Sequence, residues 1–373
     1  MASGLAYTLA PEAAEAPSAD EVATDARAPS LRKGRIAAAL CLALAGAAAT
    51  AAWSRQQSPA PAGLMAPMGL IGEEALLTDP DGSCAGCVAR HSGWPRTQLP
   101  RGAAPGDFAV KVMWLGKQVT KYFPTAEIVE NGTGVILVSD PTAGFNMVDS
   151  MDAPANGPPN YTMIPLVGNG LSLTVDMGNP APSCGCNVAF FLLSMPATHT
   201  NTWGGYYCDA NCIGGNCCAE FDLMEMNGRA FLVTSHPCSD YQKPPFDSAS
   251  WACDHIGSPQ SFFGNGKTDF GPGPGFEIDS QKPFRFKIDF PTVDGVLKAI
   301  TTLTQGANQV RATMENIENM RGPLTDGMVL DLDSWFSEDL AWLDGGACTA
   351  PEQCNRRPVK FTDIVLQSLE SER

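Results

Sequence analysis

The sequence predicts an all-β sandwich, and three observations carry that class. Short runs alternate apolar and polar residues with a period of two. Between them, 37 glycines and 30 prolines punctuate the chain. Only one stretch, 293–319, carries a helical pattern, with Asp294 as its N-cap. In chain order, GLSLTVDM alternates at Leu171, Leu173 and Val175, and FRFKIDF at Phe284, Phe286, Ile288 and Phe290. MVLDLDSW sends Met328, Leu330 and Leu332 one way and Val329, Asp331, Asp333 and Trp335 the other. FGPGPG at 270–275 is a turn, and VKFTDIVLQSL closes the chain as a strand. Many strands with little helix argue one sandwich domain over 107–373, without internal repeats.

Ahead of that domain the composition changes. Residues 1–35, rich in Ala, Pro and Glu, have the signature of a disordered tail. Residues 36–53, IAAALCLALAGAAATAAW, follow Arg32, Lys33 and Arg35, the pattern of a signal peptide or a signal anchor. Either one sends the rest of the chain outside or into the secretory lumen, and membrane anchoring through 36–53 stays open. Residues 54–106 form a linker and a weakly patterned region. Sequons at Asn131 and Asn160 suit the same route. With 40 acids against 24 bases the formal charge is −16, which repels phosphate backbones and argues against nucleic acid. A neutral sugar is indifferent to that field. Of 13 cysteines, Cys41 lies in the apolar run, and the other 12 form short-spaced clusters that predict disulfides. The competing reading is zinc on Cys208, Cys212, Cys217 and Cys218.

The chemistry concentrates in CCAEFDLMEMN, 217–227, where Glu220, Asp222 and Glu225 sit among apolar residues. On a helix, Glu220 and Asp222 would point about 200° apart. On a strand they share a face, but Glu225 falls on the opposite one. One β-bulge between Asp222 and Glu225 returns it to their side. Convergent carboxylates suit glycoside cleavage, which needs one acid to protonate the leaving oxygen and one carboxylate to attack. The bland alternative is a strand whose acids face solvent.

The flanks favour the former. GGYYCDANCIGGNCCAEFDLMEMNGRAFLVTSHPC, 204–238, resembles glycoside hydrolase family 7, with its YCD-x-x-C, CC-x-E-x-D-x-x-E and HPC pieces in order. The segments 161–177, 183–195, 253–280 and 327–344 resemble further family motifs, so the likeness runs over roughly 160–373. It implies a curved, jelly-roll sandwich with a glucan groove, acting on β-1,4-glucan by retaining double displacement without a cofactor or metal. By the same resemblance Glu220 is the nucleophile, Glu225 the acid/base, Asp222 the assisting acid and His236 a histidine near the centre. Trp335 and Trp342 would stack on sugar rings, and Asn187, Asp209 and Asn211 would meet hydroxyls. The family pattern also implies the pairs Cys208–Cys218, Cys212–Cys217, Cys238–Cys253 and Cys184–Cys348, leaving Cys186–Cys354 and Cys84–Cys87.

Departures from the pattern shape the expected activity. Four residues separate Cys212 from Cys217, where the family carries a long loop. Asn211 replaces a Gln, Met224 a Trp and Phe191 a Tyr, and Trp335 and Trp342 are seven apart, closer than usual. The cysteine-rich N-terminal region of the family has no match in 54–160. Lost loops imply an open cleft and endo cleavage. The other function class is a non-catalytic glucan-binding or wall protein on the same sandwich, which the intact acidic set disfavours. Oligomeric state is not legible.

Overall fold

A computed structural model describes residues 103–372, apart from 139–142, 153, 155–156, 183–184, 203–204, 246–251, 337–339 and 346–357. The expected tail, signal segment and nearly all of the linker, with Cys41, Cys84 and Cys87, lie outside the described residues. No helix among the described residues is long and apolar enough to cross a membrane.

The first strands are β1 (Ala109–Trp114), β2 (Lys117–Tyr122), β3 (Glu127–Ile128), β4 (Gly134–Val138) and β5 (Ala143–Asn146). Next come β6 (Met163–Ile164), β7 (Asn169–Asp176), β8 (Cys186–Leu193), β9 (Glu220–Met226), β10 (Ala230–His236) and β11 (Gln260–Gly264). Two residues each make β12 (Phe270–Gly271) and β13 (Ile278–Asp279), before β14 (Phe284–Asp289). The remainder are β15 (Thr292–Val293), β16 (Val296–Leu297), β17 (Ala299–Gln305), β18 (Asn308–Met314), β19 (Met328–Phe336) and β20 (Pro358–Ser368). Two sheets use most of them. A nine-stranded sheet runs β18-β17-β14-β7-β20-β1-β2, with β4 and β3 attached through β20. A seven-stranded sheet runs β11-β10-β9-β8-β19-β5, with β6 on β19. The two meet through aromatic side chains. Phe190 of β8 packs on Phe361 of β20 with centroids 5.3 Å apart, and Phe231 of β10 packs on Phe286 of β14 at 5.8 Å. This is the all-β, two-sheet sandwich that the alternation predicts.

The helical reading of 293–319 is overturned. The stretch contains the end of β15, then β16, β17 and β18, and only a 3₁₀ turn at Glu318–Met320. Asp294 caps nothing. With φ 53° beside Gly295 at φ 82°, it forms the turn joining β15 to β16. In β17 the buried positions are Ala299, Thr301 and Leu303, a period of two. Gly306 turns the chain into β18, which pairs with β17 residue for residue.

Three implied disulfides are present: Cys208–Cys218, Cys212–Cys217 and Cys238–Cys253. They consume the four cysteines of the zinc reading, which therefore falls. Cys186 is also disulfide-bonded, while Cys184, Cys348 and Cys354 lie outside the described residues.

Candidate active site

Strand β9 sits inside the seven-stranded sheet, between β8 and β10. Its pairing breaks once. Phe190 opposes Met224 on the β8 side, yet the next residue, Phe191, opposes Asp222, so Leu223 is the extra residue. On the β10 side, Leu232 opposes Glu225 and Thr234 opposes Asp222, with the same one-residue slip. This is the bulge that the carboxylate spacing demands. Its effect is to bury Phe221, Met224 and Met226 toward the nine-stranded sheet while Glu220, Asp222 and Glu225 face the other way. Strand β10 brings His236 opposite Glu220 and Thr234 opposite Asp222. Two disulfides hold the loop just before β9.

The three acids and His236 line one cleft of about 460 Å³ together with Trp335 and Trp342. Asn211 reaches the same wall. Asp222 Oδ2 lies 2.9 Å from His236 Nε2, and His236 Nδ1 lies 2.7 Å from the Asp254 carbonyl oxygen. Both ring nitrogens face acceptors, the arrangement of a doubly protonated imidazolium. Burial alone would lower the His236 pKa, but the charge and hydrogen bond of Asp222, helped by Glu220 and the Asp254 carbonyl, raise it to about 10. Glu220 Oε2 accepts the Ala210 N–H at 2.9 Å, and Glu225 Oε1 accepts Asn187 Nδ2–H at 2.9 Å. Burial, then Asp222, pushes Glu225 up to about 8, against the pull of His236 and the Asn187 amide. Burial and Asp222 raise Glu220 as well, while His236 and the Ala210 N–H oppose them. Burial and the Asp222 carboxylate thus both favour the protonated form of each glutamate.

Two implied hydroxyl partners have other positions. Asp209 is 3% exposed, and its carboxylate is spent on the Ile213 N–H (2.9 Å) and the Tyr207 hydroxyl (3.0 Å). It braces the loop before β9 and does not reach the cleft wall. Asn187 is fully buried and holds Glu225 from behind. The Trp335 and Trp342 rings lie 6.2 Å apart at 30°, one tilted platform instead of two separate ones. Of the other departures, Met224 faces the core, whereas Phe191 lies beside Asp222 and brings no hydroxyl. Asp331 and Asp333 share the face of Trp335 but are 4% exposed, and burial with the Asp333 charge holds Asp331 well above the carboxylate range.

Sequence reasoning passed over other residues that line the cleft. Leu232 and Thr234 follow from stepping back by two from His236 along β10. His255, Ile256 and Gln260 come from the loop into β11, where no period helps. That loop approaches closely. At Gly257, φ 83°, an added Cβ would lie 2.6 Å from His236 Cε1.

Residues 213–308 match the family model for glycosyl hydrolase family 7. Over that stretch the chain is similar to this family. Relatives in sequence include endoglucanase 1 of Pyricularia oryzae, 28% identical over 267 residues, covering 52% of this chain and 60% of the relative. Endoglucanase EG-1 of Hypocrea jecorina is 29% identical over 229 residues, covering 50% of this chain and 47% of the relative. The match thus spans about half to three-fifths of these relatives. Among solved structures, an endoglucanase I complexed with cellobiose superposes with a TM-score of 0.57 at 19% identity, over 74% of this chain and 100% of that one. A family 7 cellobiohydrolase from Daphnia pulex gives 0.54 at 17% identity, over 73% and 99%. At these identities the structures speak to the sandwich fold alone.

Proposed function

We propose that the chain is a retaining glycoside hydrolase that cuts β-1,4-glucan internally. The observation that carries this reading is the bulge at Leu223, which turns Glu220, Asp222 and Glu225 into one cleft beside His236 and two tryptophans. In the proposed first step a Glu220 carboxylate oxygen bonds to the anomeric carbon. The bond to the leaving glucan oxygen breaks, and that oxygen takes the proton of Glu225. In the second step Glu225 removes a proton from water, whose oxygen attacks the same carbon and releases Glu220. Asp222, paired with His236, steadies the charge between the two glutamates. The tryptophan platform offers a face for the apolar side of a glucose ring. The short connection from Cys212 to Cys217 supports an open cleft and endo action. Disulfides among the described residues support an oxidising, secretory location.

The test is product release from soluble β-glucan, mixed-linkage glucan and xylan by the full chain and by Glu220→Gln. Reducing ends from the parent chain and none from the variant are expected. Glucan binding by the parent chain without release would favour a non-catalytic binding protein, and equal turnover by both would overturn Glu220 as nucleophile.

A further inference from the structure

Asn187 is set apart from the other polar residues around the cleft. It is fully buried, yet it stands on the face of β8 that carries the site. Its direct cross-strand neighbour on β19 is Trp335. On the other side Ala189 opposes Glu225, which puts Asn187 on the diagonal to Glu225, within side-chain reach. Its Nδ2–H donates to Glu225 Oε1 at 2.9 Å, while its own Oδ1 has no hydrogen-bond partner among the described residues. A core amide kept only for packing would be expected to satisfy both ends, because an orphaned buried acceptor costs about 1–3 kcal/mol. Here one end is left bare and the other is committed to one oxygen of one carboxyl.

That commitment has a chemical consequence. An amide N–H donates and cannot accept. When Glu225 is protonated, its carbonyl oxygen is the stronger acceptor, so an N–H held on Oε1 favours the acidic hydrogen on Oε2. We propose that Asn187 is a positioning residue that fixes the Glu225 proton on Oε2, the oxygen left free for the leaving glucan. After the proton departs, the same N–H remains on Oε1 of the carboxylate, and Oε2 is again the oxygen that meets the incoming water. Asn187 touches no substrate in this scheme and acts entirely through Glu225. The inference rests on the hydrolase reading above and adds to it the oxygen through which the acid works.

The experiment separates proton delivery from folding by the leaving group. Aryl glycosides such as 2,4-dinitrophenyl β-cellobioside leave without a proton, whereas a glucan oxygen requires one. kcat/KM, which reports the first step, is measured on both for the parent chain, Asn187→Ala, Asn187→Asp and Glu225→Gln. For Asn187→Ala we expect roughly a hundredfold loss on β-glucan, the lower end of what a general acid contributes, against a change within about threefold on the activated glycoside. Asn187→Asp keeps the shape and replaces the donor, and should show the same asymmetry. Glu225→Gln sets its upper limit. Equal losses on both substrates, with the fold intact by thermal unfolding, would overturn the positioning role and leave the hydrolase reading standing. So would full β-glucan activity in Asn187→Ala. A parent chain that turns over neither substrate would overturn the hydrolase reading itself.

Discussion

The two sheets are built from the same strand grammar and use it differently. In the nine-stranded sheet, β14 alternates buried and partly exposed residues one for one, and β17 nearly so. One face meets the core and the other meets water, the ordinary economy of an antiparallel sheet. In the seven-stranded sheet, β8 and β10 are buried at every position, and β9 at all but Glu225. Its second face is withdrawn from water as well, and there it keeps acids, a histidine and amides. The first sheet turns its polar residues outward for solubility. The second pays a desolvation cost to hold carboxyls where a proton is retained near neutral pH.

The largest expected effect belongs to the second sheet. Glu220→Gln should lower β-glucan turnover by at least about a thousandfold while removing a buried carboxyl, so the melting temperature should hold or rise. A large drop in melting temperature would make Glu220 structural. In the first sheet the order reverses. Phe286→Ala, opening a hole against Phe231, should cost about 3–5 kcal/mol in denaturant unfolding, with activity lost only as the fold is lost. His236→Asn joins the two behaviours. It strands the Asp222 charge in a dry site, and should cost about 3 kcal/mol and most of the activity together.

The pH dependence should likewise follow the second sheet. Glu225 must hold its proton to serve as acid, so β-glucan hydrolysis should fall as pH rises through about 8. A rate still climbing about one pH unit above that value would contradict this role. The same group should mark stability. Between the ordinary carboxylate value and about 8 the unfolded chain has released this proton and the folded chain keeps it, so stability declines with rising pH across that window. Thermal scans should show a shallower decline in Glu225→Gln. The smallest effect is expected for Arg311→Gln on the exposed face of β18, within about 0.5 kcal/mol and without change in activity.

The sequence made the strands legible wherever one face is apolar, as in β7, β14 and β20, because period two is then enforced by burial. It also made the bulge legible, since three acids could not otherwise share a face. The 293–319 stretch misled because its apolar residues satisfy a helical count, while the short turns at Asp294-Gly295 and Gly306 carried the deciding signal. Asp209 misled for another reason. A carboxylate that braces a loop and one that meets a sugar look alike in one dimension, and only the Tyr207 hydroxyl and the Ile213 N–H distinguish them. The approach of the loop at Gly257 to His236 depends on folding at long range, beyond what local pattern can encode.

The extra residue in β9 makes the site a matter of parity. Glu225 stands three residues after Asp222, an odd step that reaches the same face only because Leu223 lies out of register. Removing Leu223 would leave an even step of two, and an unbulged strand would then keep Glu225 on the cleft side. Keeping Leu223 while flattening the bulge would do the opposite: Met224 would turn to the cleft, and Glu225 would point into the core, where nothing ionic can be solvated. Residue count and bulge are therefore tied to each other: a change in one alone turns Glu225 over and a change in both restores it, so a reading frame of side chains is imposed on this strand much as codons impose one on a gene.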